Sequence, residues 1–282
     1  MYYLLLTSLL WAFSFGLIRG LGLDGTFLSA ARLGIALLVF LPFLRFRGVT
    51  LRTALALTGI GAVQFGVMYL AYNESFRLLQ AHEVALFTLT TPIFVTLLAD
   101  AFDRTVRLRA LLAAVLAVFG GVALYLKAAP TAATLTGVVL VQVSNLAFAL
   151  GQVLYRRLRT NHPALNDRAV FGLLYVGGFV LALGAFCFRD ISVSLNTHQL
   201  WVIAYLGVIA SGAGFFLWNL GALRVSAGTL AAMNNLKIPL AVAVSLLVFR
   251  ESADWPRLLL SATCMFLAIA IAEGWFEGTQ KI

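Results

Sequence analysis

The chain has 282 residues, of which 62% are hydrophobic and only 11% charged, and its mean hydropathy is +0.97. That leaves too little polar sequence to coat a water-soluble globule, so most of the surface must face lipid. A net charge of +9 could suggest nucleic acid, but Lys and Arg sit in short clusters between apolar runs, which is how topology signals are distributed and not how a basic binding face is built.

Crossing a hydrocarbon layer as a helix takes roughly 20 apolar residues, because every backbone polar group must be satisfied within the span. The apolar runs here do not alternate as the strands of a β-barrel would. In chain order, spans are predicted at Tyr3–Ile18, Thr26–Leu44, Thr53–Tyr72, Val84–Ala101, Leu108–Leu126, Leu135–Tyr155, Ala169–Phe188, Leu200–Leu220, Ala227–Phe249 and Leu258–Trp275. The fold class is therefore all-α integral membrane, with links too short to hold a soluble domain. The first run lacks the basic start and the cleavage site of a signal peptide and is expected to stay as a helix. Cys187 and Cys264 lie in apolar runs and read as small packing residues, not a disulfide.

With the N-terminus placed inside, twelve of the 20 Lys and Arg fall on the inner side, among them Arg104, Arg107, Arg109, Arg156, Arg157 and Arg159, against six outside. Both termini are thus expected in the cytoplasm. Two more, Arg32 and Lys237, lie within spans.

The chain also repeats itself. Tyr72-Asn73 after the third span is followed by a tight connection, Ala81 and a helix carrying Pro92; Trp218-Asn219 after the eighth is followed by a similar connection, Ala227 and a helix carrying Pro239. Five spans per copy is an odd number, so the second copy must be inserted upside down. The expected architecture is two inverted five-helix repeats, residues 1–128 and 129–282, around a central cavity.

Lys237 is placed about ten residues into the ninth span, roughly 15 Å deep, where a cation costs on the order of 3 kcal/mol and needs water and a partner. It could anchor a substrate carboxylate or serve as a structural lysine. Asn234 and Asn235 precede it by a turn or less, and Pro239 follows, so donors collect where a backbone hydrogen bond is missing. Thr88, Thr90, Thr91 and Pro92 form the uncharged counterpart in the first half. Arg32, some 9 Å from the outer end of its span at 1.5 Å per residue, is within reach of snorkelling and is read as structural or gating. Gln142 and Asn145, with Gln152 adjoining, make a polar stripe on the sixth span that wants a cavity or partner helices. Trp11, Ser14, Tyr69, Trp218 and Asn219 complete the candidate substrate-binding set; Tyr72 and Trp218, at helix ends, also suit lipid-interface anchors.

Length, span number, the five-plus-five repeat and the paired motifs resemble the drug/metabolite transporter superfamily, in particular its EamA-type members. LLWAFSFGLIRG, Leu9 to Gly20, is similar to the opening helix of bacterial aromatic amino acid exporters; WNLGALRVSAGTLAAMNNLKIPLAVAVSLLVFRE, Trp218 to Glu251, is similar to the ninth-helix signature. The resemblance implies a secondary transporter of the bacterial inner membrane. It would move amino acids or other carboxylate-bearing metabolites outward by alternating access, without a cofactor, as a monomer or homodimer in contact with lipid and a small-molecule substrate. A lipid or lipid-linked sugar flippase of the same fold is the alternative. The first span holds no carboxylate for proton-coupled export of cationic drugs, and no HExxH, GxSxG or intramembrane Asp or His pair is present to support an enzyme.

Overall fold

The computed structural model describes residues 1–79, 84, 87–125, 135–189, 192–236, 240 and 255–273. Among them the chain is helical throughout. We number the rods α1 (Tyr2–Ala12 and Ser14–Leu21, joined at Phe13), α2 (Gly25–Phe40, running on through Leu41–Phe43), α3 (Leu51–Ser75), α4 (Thr91–Asp103), α5 (Leu108–Tyr125), α6 (Leu135–Asn161), α7 (Asp167–Cys187), α8 (Thr197–Ala222), α9 (described over 227–236) and α10 (Trp255–Glu273). Gly25–Phe43, α3, α6, α7 and α8 are each long and apolar enough to cross a bilayer, and Tyr2–Ala12 and Leu108–Gly120 are shorter apolar helices.

Helix starts are set by local chemistry. The Asp24 carboxylate accepts from the amides of Thr26 and Phe27 at 2.8 and 3.1 Å and begins α2. Asn196 and Gln199 exchange side-chain and backbone hydrogen bonds at 2.8 and 3.0 Å, a capping box that begins α8.

The halves interleave instead of sitting side by side: α2 packs on α7 and α8, α3 on α6 and α7, and α1 on α8, while α5 pairs with α10. Glycine makes the α3–α7 crossing possible. A Cβ on Gly61 would stand 1.9 Å from the Leu174 carbonyl oxygen, and one on Gly177 would stand 1.8 Å from the Thr58 oxygen.

The repeat shows in a feature that spacing does not reveal. Both α3 and α8 widen into a π-helical stretch, Ala62–Val67 and Leu206–Ala213, and each stretch ends six residues before the Asn of the paired aromatic-Asn motif. Such stretches leave carbonyls without their usual partners, and in α8 other helices take them. Trp11 Nε1 donates to Ala210 O at 2.9 Å, Thr7 Oγ1 to Gly214 O at 3.2 Å, and the Tyr175 hydroxyl lies 2.7 and 2.8 Å from Ser211 O and Gly212 O.

Two expectations change here. The fourth span is not one continuous rod: the chain turns at Leu89 and Thr90 before α4, because Pro92 in its first turn cannot extend a helix backwards. Cys187 is exposed at the end of α7 and so is no core packing residue, whereas Cys264 is buried; both are free thiols.

Candidate functional site

A cavity with an empty volume of about 580 Å³ opens between α1, α2, α3, α6, α8 and the turn ahead of α4. Its walls divide by chemistry. Trp11, Phe148, Phe215, Ile18, Met68, Tyr69 and Tyr72 supply the apolar and aromatic part; Ser14, Thr88, Thr91, Ser144, Asn145 and Arg32 supply the polar part. Trp11 and Phe215 rings lie 5.0 Å apart, Phe148 and Phe215 5.8 Å, and Tyr69 and Phe215 5.6 Å, so the aromatic wall is one connected cluster.

Arg32 supplies the charge. It is 2% exposed, so it does not snorkel to an interface as expected. Its third turn into α2 carries it to the cavity, where other helices enclose it. Nη2 donates to the Tyr69 hydroxyl at 2.6 Å, Nε donates to Ser211 Oγ at 3.2 Å, and the guanidinium carbon sits 4.2 Å from the centre of the Tyr69 ring. Nη1 is buried with no hydrogen-bond partner, and none of the lining residues is acidic. The Ser14 hydroxyl on the same cavity is likewise buried without a partner. A buried guanidinium lacking a carboxylate is costly; an anion arriving in the cavity would relieve that cost.

Asn145 connects the cavity to the broken helix. Its Nδ2 donates to Phe87 O at 2.9 Å and to Thr90 Oγ1 at 3.1 Å, while Gln142 Nε2 reaches Phe87 O at 3.3 Å. From the other side, Asn235 Nδ2 donates to Leu89 O at 3.0 Å. Amides from α6 and α9 therefore satisfy the carbonyls left free ahead of Pro92, which is itself buried.

Of the residues named from sequence, Trp11, Ser14, Tyr69, Asn145, Arg32 and Tyr72 meet at this cavity. Gln142, Asn234, Asn235, Trp218 and Asn219 stand behind it. Trp218 is fully buried, its Nε1 donating to Gln152 Oε1 at 2.9 Å, and is no lipid-interface anchor. Asn219 accepts from Gln64 Nε2 at 3.1 Å, which ties α8 to α3. Asn234 turns back to Leu230 O at 2.9 Å. Lys237 and Pro239 lie outside the described residues. Sequence reading missed Ser144, Phe148, Phe215 and Ser211, small or apolar residues in apolar runs that carry no signal of their own.

A largely aromatic cavity with one buried cation, enclosed by interleaved five-helix halves in a lipid-facing chain, defines a membrane carrier for small molecules. The chain belongs to the EamA-like transporter family, which matches residues 1–126 and 135–273; it is a transporter and not an enzyme. Curated relatives are similar over nearly their whole length. They include a biotin transporter of Salmonella typhimurium, 37% identical over 96% of this chain and 92% of that one. The biotin transporter of Escherichia coli K12 is also 37% identical, over 96% and 92%, and a probable biotin transporter of Pseudomonas aeruginosa is 40% identical over 98% and 96%. A crystal structure 17% identical in sequence superposes with a TM-score of 0.76 over 97% of both chains, which shows the shared fold.

Proposed function

We propose that this chain carries biotin, or a cargo of the same build, across the bacterial inner membrane by alternating access. The observation that carries the reading is the unpartnered Nη1 of Arg32 in an aromatic cavity. Biotin is a mono-anion: a carboxylate on an apolar chain, ending in a fused ring with a urea. Arg32 and Ser14 suit the carboxylate, the Trp11, Phe148 and Phe215 wall suits the chain and ring, and Asn145 with the nearby threonines suits the urea.

The same wall argues against an amino acid as cargo. An α-ammonium buried here would need a carboxylate beside it, and among the described lining residues there is none. The names of the relatives point the same way.

The test is counterflow of radiolabelled biotin in proteoliposomes, loaded from either side so that the direction is measured too. Expected is saturable exchange, competed by unlabelled biotin but not by biotin methyl ester or tryptophan. Exchange of tryptophan without exchange of biotin would return the cargo to the amino acids, and lipid scrambling without either would favour a flippase.

A further inference from the structure

A second and larger space, about 1560 Å³ of empty volume, opens at the other end of the same helices. On α4 the cavity touches Thr91 and this vestibule touches Val95; on α6 the corresponding residues are Phe148 and Val153. At 1.5 Å per residue the two spaces are about 6–8 Å apart along the helices and lie in series. The vestibule is at the end that the Lys and Arg bias assigns to the cytoplasm.

Arginines surround it. Arg107 and Arg157 both grip Asp103, and Arg107 also reaches Asp100 at 3.2 Å, so these groups are largely neutralised by one another. Arg156 is different. It lines the vestibule within electrostatic reach of Asp103 and Arg107, yet among the described residues its guanidinium donates no hydrogen bond and forms no close ion pair. Arg109 also lines this space. Opposite them Ser226, just ahead of α9, lines the same space with Ala227 and Gly228, and so do Leu108 to Ala110 at the start of α5. Both helix starts place positive partial charge there.

We propose that this vestibule is a second carboxylate station, in which Arg156 binds the anionic end of the cargo on the arginine-rich side before or after it occupies Arg32. The inference rests on the reading of the cargo as a mono-anion. It gives the transport path two cationic stations separated by a thin, mostly apolar layer.

Thr160 lines the vestibule one turn beyond Arg156, and its hydroxyl only returns to its own helix at the Arg156 carbonyl oxygen, 3.0 Å away. A Thr160→Cys reporter, in a chain whose Cys187 and Cys264 are replaced by Ala, can be labelled in phosphatidylcholine nanodiscs that leave both faces open. Relative to free cysteine, a sulfonate-bearing methanethiosulfonate should react on the order of tenfold faster than its ammonium counterpart, and Arg156→Gln should remove most of that preference. Millimolar biotin should slow the labelling and biotin methyl ester should not. Rates without anion preference, or a preference indifferent to Arg156→Gln, overturn the station whether or not the protein transports biotin. Absence of biotin counterflow with the anion preference intact supports the station and sinks the cargo assignment alone. Labelling slowed by phosphatidylglycerol in the disc but not by biotin overturns the proposal in favour of a lipid headgroup.

Discussion

Arg32 Nη2 donates to the Tyr69 hydroxyl over 2.6 Å, and that hydroxyl lies 2.9 Å from Ser211 Oγ, so a single guanidinium joins α2, α3 and α8 at the cavity wall. With Nε and Nη2 both held, Nη1 is fixed in direction and left for a ligand. Charge-assisted hydrogen bonds contribute about 1.5–3 kcal/mol, which is roughly a 10- to 100-fold change in affinity. Arg32→Gln should therefore raise the KM for the proposed cargo by about that factor. Arg32→Lys keeps the charge but not the planar fork and should recover only part of the loss. Counterflow kinetics check both, and equal KM values for all three proteins would remove Arg32 from the site.

Gly61 and Gly177 offer a sharper test of packing than of chemistry. The atoms an added Cβ would strike are backbone oxygens of α7 and α3, which cannot rotate away. Gly61→Ala or Gly177→Ala should each cost at least about 1–3 kcal/mol and lower the melting temperature measurably. Gly59 provides the control. It lies on the same helix, but a Cβ there meets nothing within 4 Å, so Gly59→Ala should be neutral or slightly stabilising, by up to about 1 kcal/mol, through helix propensity.

How far the fold could be read in advance depended on the kind of signal. Apolar runs and the paired aromatic-Asn and Pro motifs carry long-range periodic information, so most of the helical spans and the repeat were legible, while the ninth span beyond residue 236 lies largely outside the described residues. The π-helical stretches were not, because AVQFGV and LGVIASGA look like any other membrane helix in composition. The site was legible in part. Trp11, Ser14, Tyr69 and Asn145 stand out as polar or amphipathic residues in apolar runs, and all four reach the cavity. Arg32 was misjudged because distance along one helix suggested snorkelling, while its burial is set by α3 and α8, which hydropathy cannot place beside it. Trp218 misled for the same reason: its position near a helix end said nothing of Gln152 across the interface.

That Trp218–Gln152 contact makes its own prediction. Trp218 lies 5.0 Å from Trp11, ring to ring, and so supports the aromatic wall from behind. Gln152 already has Nε2 buried without a partner. Trp218→Phe would leave Oε1 unsatisfied as well, at a cost of about 1–3 kcal/mol. Thermal unfolding should show that loss, while Gln152→Leu alongside Trp218→Phe should recover much of it by removing the stranded amide. A double variant no more stable than Trp218→Phe alone would mean that the amide is satisfied in another way.

At the opposite end of α1, Asp24 gives the stability a predictable acid dependence. Burial pushes its carboxyl up, but the hydrogen bonds from the Thr26 hydroxyl and the Phe27 and Thr26 amides, with the nearby charge of Arg189, outweigh burial and hold it below the ordinary Asp value. A carboxyl with a depressed folded pKa adds stability that is fully present above the unfolded value, about 3.9, and is lost as pH falls through the folded one. Asp24→Asn keeps a side-chain oxygen to cap α2 but cannot titrate. The melting-temperature advantage of the wild type over Asp24→Asn should thus be constant above about pH 5 and shrink steadily below about pH 4. An advantage that grows on acidification would mean that burial, and not the cap, governs this carboxyl.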